Sequence, residues 1–170
     1  LSGSGYHDHN WGNTPLQYLF DNWVWFRGEI EDKTIVAAVL YMTDKRGGYD
    51  VPILYIADSS KVHVNKFGED GLYTRKSTRI TDLYNKHNEP LFRELDMITE
   101  DGFRVNIIGN SVIDNSNLFK RGRMPYPIRL AMGEAKIDPF YTRFDSEMSL
   151  SINGKAPKTG FGVFEIMDLK

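Results

Sequence analysis

The chain has 170 residues, 41% hydrophobic, 26% charged and 13% aromatic, which is enough for one domain with a substantial core and is generous in large rings. Its 21 Lys and Arg against 23 Asp and Glu give a formal charge of -2 with no basic block, which argues against a nucleic-acid partner. The absence of cysteine excludes disulfides, thiolate catalysis and cysteine-held metals without indicating a compartment, and the longest apolar runs, such as residues 35–42, are far short of a helical membrane span.

The chain opens on Leu1-Ser2-Gly3-Ser4 with no charged-then-apolar signal segment and reaches a polar cluster within five residues, Gly5-Tyr6-His7-Asp8-His9-Asn10-Trp11-Gly12. So abrupt a start suggests that the natural polypeptide begins further upstream. If Tyr6 to Trp11 is extended, the pleat puts His7, His9 and Trp11 on one face and Tyr6, Asp8 and Asn10 on the other. Burying that many donors and acceptors costs free energy unless each is paired, so the cluster calls for an explanation. The favoured one is a ligand pocket or catalytic cluster facing an apolar interior. The alternatives are a hydrogen-bond network that only fixes conformation, and a metal held by His7 and His9, for which a third ligand would have to come from His63, His87 or a carboxylate without any motif in support. Neither a metal nor a cofactor is called for.

Beyond the cluster the chain reads as strands. Residues 22–31 form the first, with Trp23, Trp25 and, across an irregularity near Gly28, Ile30 expected on one face. Asp32-Lys33 turns it into the apolar, β-branched run 34–43. After the turn formers of residues 44–48, Val51, Ile53 and Tyr55 alternate with Leu54 and Ile56, and 61–67 is a shorter strand. Charges and turn residues dominate 68–89, which reads as a loop with a helical turn over 81–87. Strands follow at 91–99, 103–108, 111–113 and around Ile128, Leu130 and Met132. The last hairpin sets Phe144, Met148, Leu150 and Ile152 at even spacing before Asn153-Gly154, with 161–169 returning, and small Ser146 leaves a gap on that face that would line a cavity. Eight to ten short strands and little helical periodicity predict an all-β fold, an antiparallel up-and-down barrel in preference to a sandwich.

Other candidates have plain readings. Trp23 and Trp25 are either stacking surfaces for a ligand or core; His63 is exposed or hydrogen-bonded; Lys120, Arg121 and Arg123 are a solvated basic loop. Glu165 shares a face with Phe161, Val163, Met167 and Leu169, so it reaches solvent or pairs, with Arg27 and Arg143 as candidate partners.

The run Gly-x-Gly-Tyr-His-Asp-His-Asn-Trp-Gly-Asn, residues 3–13, resembles the signature of the lipocalin-like superfamily of carotenoid 1,2-hydratases (hydroxyneurosporene synthases) and AttH-type proteins, with fungal Diels–Alderase and cyclase proteins as more distant relatives. The likeness continues at Trp23-Val24-Trp25-Phe26-Arg27-Gly28, Phe140-Tyr141-Thr142-Arg143-Phe144 and Gly160-Phe161-Gly162-Val163-Phe164-Glu165. It implies a lipocalin-like barrel, residues 1–170 as a single domain corresponding to the C-terminal half of a two-domain protein, and a hydrophobic or amphipathic small molecule, isoprenoid- or polyketide-like, as ligand. It also implies His9, Trp11 and Tyr41 as catalytic candidates, with His7, Asp8, Asn10, Trp23 and Trp25 lining the site. In the hydratases a Tyr-x-Asp supplies the acid that protonates an alkene; here Tyr41 matches but Thr43 stands where the aspartate is expected. The expectation is therefore a binding domain, with a hydratase or cyclase, or a structural domain docked onto an upstream half, as alternatives.

Overall fold

The structure is a computed structural model and describes residues 12–68, 70–84, 90–118, 125–127, 130 and 139–169, with backbone alone for 77–84 and 90. Among the described residues nine strands make one antiparallel sheet: β1 (Phe20–Ile30), β2 (Lys33–Met42), β3 (Asp50–Ala57), β4 (Val62–Phe67), β5 (Leu72–Tyr84), β6 (Pro90–Thr99), β7 (Phe103–Asn117), β8 (Phe140–Ile152) and β9 (Lys158–Asp168). Their order, β4-β3-β2-β1-β9-β8-β7-β6-β5, coils into a nearly closed barrel, as the strand pattern predicts. Two meanders, β1–β4 and β5–β9, are joined where β1 pairs with β9, which leaves the sequence neighbours β4 and β5 as the two edges that face each other across the seam.

One end of the barrel is made of tight turns. Ile30 pairs with Lys33 across a two-residue turn in which Glu31 has φ 55°, and Asn153 (φ 53°) and Gly154 (φ 70°) turn β8 into β9. Positive φ at both central residues suits the twist of a hairpin, and Asn-Gly adopts it at little cost. The longer connections, after β2, β5 and β7, and the approach to β1 all lie at the other end. A ladder row crosses that end through Asn117, Phe140, Asp168, Asn22, Tyr41 and Asp50.

The interior follows period-2 alternation. Val24, Phe26 and Ile30 of β1, Ile35, Ala37, Val39 and Tyr41 of β2, and Leu54 and Ile56 of β3 point inward and are buried, as are Phe144, Met148 and Leu150 of β8 with Phe164 and Ile166 of β9. Burying each such side chain contributes roughly 1.5–3 kcal/mol. Small residues occupy a row across four adjacent strands, Gly28, Gly162, Ser146 and Gly109. The Phe26 ring lies against Gly28 and Gly162, and the Phe144 ring against Gly109. The gap at Ser146, read from sequence as cavity lining, is therefore overlaid by core aromatics, and Ser146 is fully buried with its hydroxyl donating to the Phe144 carbonyl at 3.3 Å.

Several expectations are corrected. No irregularity occurs at Gly28: β1 keeps register with β2 from Asn22 to Ile30, so Ile30 shares the inner face with Val24 and Phe26 while Trp23 and Trp25 lie on the outer one. The stretch read as a loop with a helical turn contains β5, whose Leu72 is buried while Tyr73 and Arg75 are exposed; charges on an edge strand guard it against pairing with other chains. The strands at 103–108 and 111–113 are one strand with irregularities at Gly109/Ser111 and Val112/Asp114. Of the strand expected around Ile128, Leu130 and Met132, Ile128 and Met132 lie outside the described residues, while Leu130, like Tyr126 and Pro127, is helical; Pro127 has no N–H to give a ladder, and its fixed φ suits a helix.

Candidate functional site

The inward polar groups gather at the end with the long connections. Tyr41, near the end of β2, is 8% exposed, and its hydroxyl is buried with no hydrogen-bond partner among the described residues. Burial holds this phenol well above the ordinary tyrosine range, and the carboxylate of Asp50, its ladder partner on β3, pushes the same way. Tyr41 is thus a neutral donor and acceptor, competent to bind an oxygen and far too weak an acid to protonate an isolated alkene.

The ammonium of Lys76 on β5 lies over this ring, 3.6 Å from its centroid, 5.6 Å from that of Phe92 on β6 and 3.9 Å from Oδ2 of Asp50. Lys76 therefore bridges the seam between β3 and β5, and a cation over an aromatic face is attracted by the ring quadrupole. Below it the aromatics continue inward, Phe92 to Phe164 at 6.2 Å and Phe164 to Phe144 at 6.1 Å between centroids. An apolar floor thus meets a polar rim.

Three further buried polar atoms have no partner among the described residues. They are Oγ1 of Thr43, two residues beyond Tyr41, Nε of Arg93, next to Phe92, and Oγ of Ser116, beside Asn117 in the end row. An unpaired buried polar group costs about 1–3 kcal/mol, so four at one end mark a place built for something besides packing. The carbonyl of Leu19 accepts the Thr43 N–H at 3.0 Å, so the chain enters β1 beside the end of the Tyr41 strand.

Of the residues singled out from sequence, Tyr41 is in this cluster. Tyr6, His7, Asp8, His9, Asn10 and Trp11 lie outside the described residues, as do His87, Lys120, Arg121 and Arg123. Trp23 and Trp25 are half-buried on the outer face, where Trp25 is the ladder partner of Glu165. Glu165 accepts from Tyr141 at 2.5 Å and from Arg143 at 2.8 and 2.9 Å, so Arg143, one of the two candidates, is a partner of it. Burial and the Glu165 bond hold the Tyr141 phenol above its ordinary range.

His63 Nε2 donates to the Asp58 carboxylate at 2.5 Å, within a turn where Asp58 also receives the Ser60 hydroxyl and the Ser60 and Lys61 N–H groups. This is turn architecture. Among the described residues no group of three or more His, Asp or Glu is placed to hold a metal, and no helix is long and apolar enough to cross a membrane. Asp44 begins an exposed 3-10 turn (Asp44–Arg46). Sequence reasoning missed Lys76, Asp50, Arg93 and Ser116. The signal for Lys76 was the alternation Leu72, Thr74, Lys76 within the charged stretch.

Neither the protein-family models nor the curated proteins contain a match to this chain. Solved structures do. Kievitone hydratase from Nectria haematococca matches with a TM-score of 0.56 and 13% identity over 93% of this chain and 42% of its own. CghA matches at 0.61 and 10% identity in its structure with Sch210972, over 91% of this chain and 42% of that one, and at 0.59 and 10% in a second structure, over 90% and 42%. The chain thus spans about two-fifths of the length of these structures, and at such identities what it shares with them is the barrel fold.

Proposed function

We propose that this chain is a lipocalin-like domain that holds a hydrophobic or amphipathic small molecule, isoprenoid- or polyketide-like, in the open end of its barrel. The observation that carries the reading is the coincidence of an aromatic floor with unpartnered buried polar atoms at one end, Tyr41 foremost. His9 and Trp11, with His7, Asp8 and Asn10 ordering them, belong to the same site in this proposal, because the chain that carries them enters β1 beside Tyr41. The assignment to the carotenoid 1,2-hydratase and AttH-type superfamily, as a C-terminal half, is part of the proposal. The barrel fold shared with the structural neighbours is compatible with it, and their length, more than twice the part that this chain covers, leaves room for a second half.

A second reading, an enzyme that hydrates or cyclises such a molecule, draws on the fold shared with kievitone hydratase and with CghA, solved with the small molecule Sch210972. Of the two chemistries, cyclisation suits the described residues better. It needs shape and hydrogen bonds, which a neutral Tyr41 offers, whereas hydration needs an acid, and Asp50, the carboxylate paired with Tyr41, is half exposed.

Titration of the chain with the neutral polyene diphenylhexatriene tests the binding reading. Saturable, one-to-one fluorescence enhancement that is weakened by bulk at the open end, as in Thr43→Trp, is expected. A linear, unsaturable response would end it.

A further inference from the structure

Resting on the binding reading, the wall around Tyr41 says more about the ligand. We propose that the hydroxyls of Tyr41 and Thr43 together receive a neutral oxygen of the ligand, a hydroxyl or a carbonyl, so that the domain selects oxygenated apolar molecules over hydrocarbons of the same shape.

Two buried hydroxyls meet on one side of one strand. Tyr41 lies on the inner wall of the barrel, more than nine-tenths buried, and its hydroxyl has no partner among the described residues. Thr43 follows two residues later in extended backbone (φ -61°, ψ 153°), which returns its side chain to the same side, and its Oγ1 is likewise buried with no partner among the described residues. The backbone of Thr43 is fixed. Its N–H donates to the Leu19 carbonyl at 3.0 Å, and its own carbonyl accepts from the Arg46 and Gly48 N–H groups at 2.8 and 3.1 Å.

Charge is already matched here. The ammonium of Lys76 stands 3.6 Å over the Tyr41 ring and pairs with Asp50 at 3.9 Å, while burial, and then the Asp50 carboxylate, keep the phenol neutral. What goes unanswered is hydrogen bonding, one O–H and two lone pairs on each hydroxyl. A neutral oxygen supplies it and leaves the ion pair intact, and the apolar remainder of the molecule runs down over Phe92, Phe164 and Phe144. A hydrocarbon of the same shape gains the floor and leaves both hydroxyls buried and unpaired.

The test compares all-trans-retinol with axerophtene, the hydrocarbon that carries a methyl in place of its hydroxymethyl group. Both are read by polyene fluorescence on the wild-type chain and on Tyr41→Phe, Thr43→Val and the double variant, with thermal unfolding to confirm that each variant folds. The readout is the ratio of the two affinities, in which the floor contacts common to both molecules cancel. The retinol preference should fall several-fold in each single variant and about ten-fold in the double variant, the loss of one and then two hydrogen bonds. A double variant whose ratio stays within about two-fold of wild type overturns the inference and assigns the two hydroxyls to buried water. A fall reproduced in full by one single variant, with the other unchanged, overturns their joint role. In either case binding of axerophtene leaves the binding reading standing; if neither molecule binds, both fall.

Discussion

Gly28 on β1 and Gly162 on β9 are ladder partners, and the ring of Phe26 lies against both of them. A Cβ on Gly162 would lie 2.3 Å from the carbonyl oxygen of Arg27 and 2.6 Å from Cζ of Phe26. The carbonyl belongs to a paired strand and cannot retreat alone. Gly162→Ala is therefore expected to destabilise the barrel by about 1–3 kcal/mol, as other overpacked core sites do. Urea unfolding measures it, and a midpoint equal to wild type would mean that the row of small residues is not what lets the sheet coil so tightly.

Tyr41 separates stability from binding. Its buried hydroxyl has no partner among the described residues, so Tyr41→Phe removes a desolvated group without opening a cavity and should raise the stability of the ligand-free chain by up to about 1 kcal/mol. The same change should weaken a ligand that hydrogen-bonds to this hydroxyl. A loss of stability in Tyr41→Phe, seen by thermal unfolding, would show that the hydroxyl is satisfied in the free protein.

Asp58 should impose a pH dependence on stability. The Ser60 hydroxyl, then His63 and the N–H groups of Ser60 and Lys61, hold its carboxyl well below the ordinary 3.8. A group whose folded pKa is depressed contributes stability that is fully present above its unfolded value and is lost as the pH falls through the folded one. The unfolding midpoint should thus drop as the pH is lowered below about 4, and Asp58→Asn should show a shallower drop. Parallel curves for the two proteins would contradict this.

Asp96, 2% exposed on β6, receives Nε and Nη2 of Arg104 at 2.9 Å each, and Arg75 approaches to 3.6 Å. Asp96→Ala leaves two guanidinium groups without their carboxylate and should cost about 1–3 kcal/mol in urea unfolding. A cost below about 0.5 kcal/mol would place this pair with ordinary surface ion pairs.

The barrel was legible because its strands alternate so plainly. Val51 to Ile56 and Phe144 to Ile152 have the period of a one-sided strand, and the structure buries the alternate residues Leu54 and Ile56 in one, and Phe144, Met148 and Leu150 in the other. Two places misled for physical reasons. Trp23 and Trp25 are the largest apolar side chains of β1, yet the row of glycines beneath Phe26 gives the inner face to Val24, Phe26 and Ile30, and the indoles cover the outside. In β5, Arg75, Lys76 and Arg79 dilute the hydrophobic pattern because an edge strand needs charge more than apolar surface, and this hid Lys76. Tyr41 could be picked out only through family resemblance, since its unpartnered hydroxyl is a property of the folded barrel.

The central claim, that a small amphipathic molecule occupies the open end of the barrel, is met most directly by backbone amide NMR of the whole chain titrated with cis-parinaric acid. Shift changes concentrated at Tyr41, Thr43, Asp50, Lys76, Phe92 and Ser116 are the predicted result. Changes confined to the outer face at Trp23, Trp25 and Met167, or none at saturating probe, would contradict it.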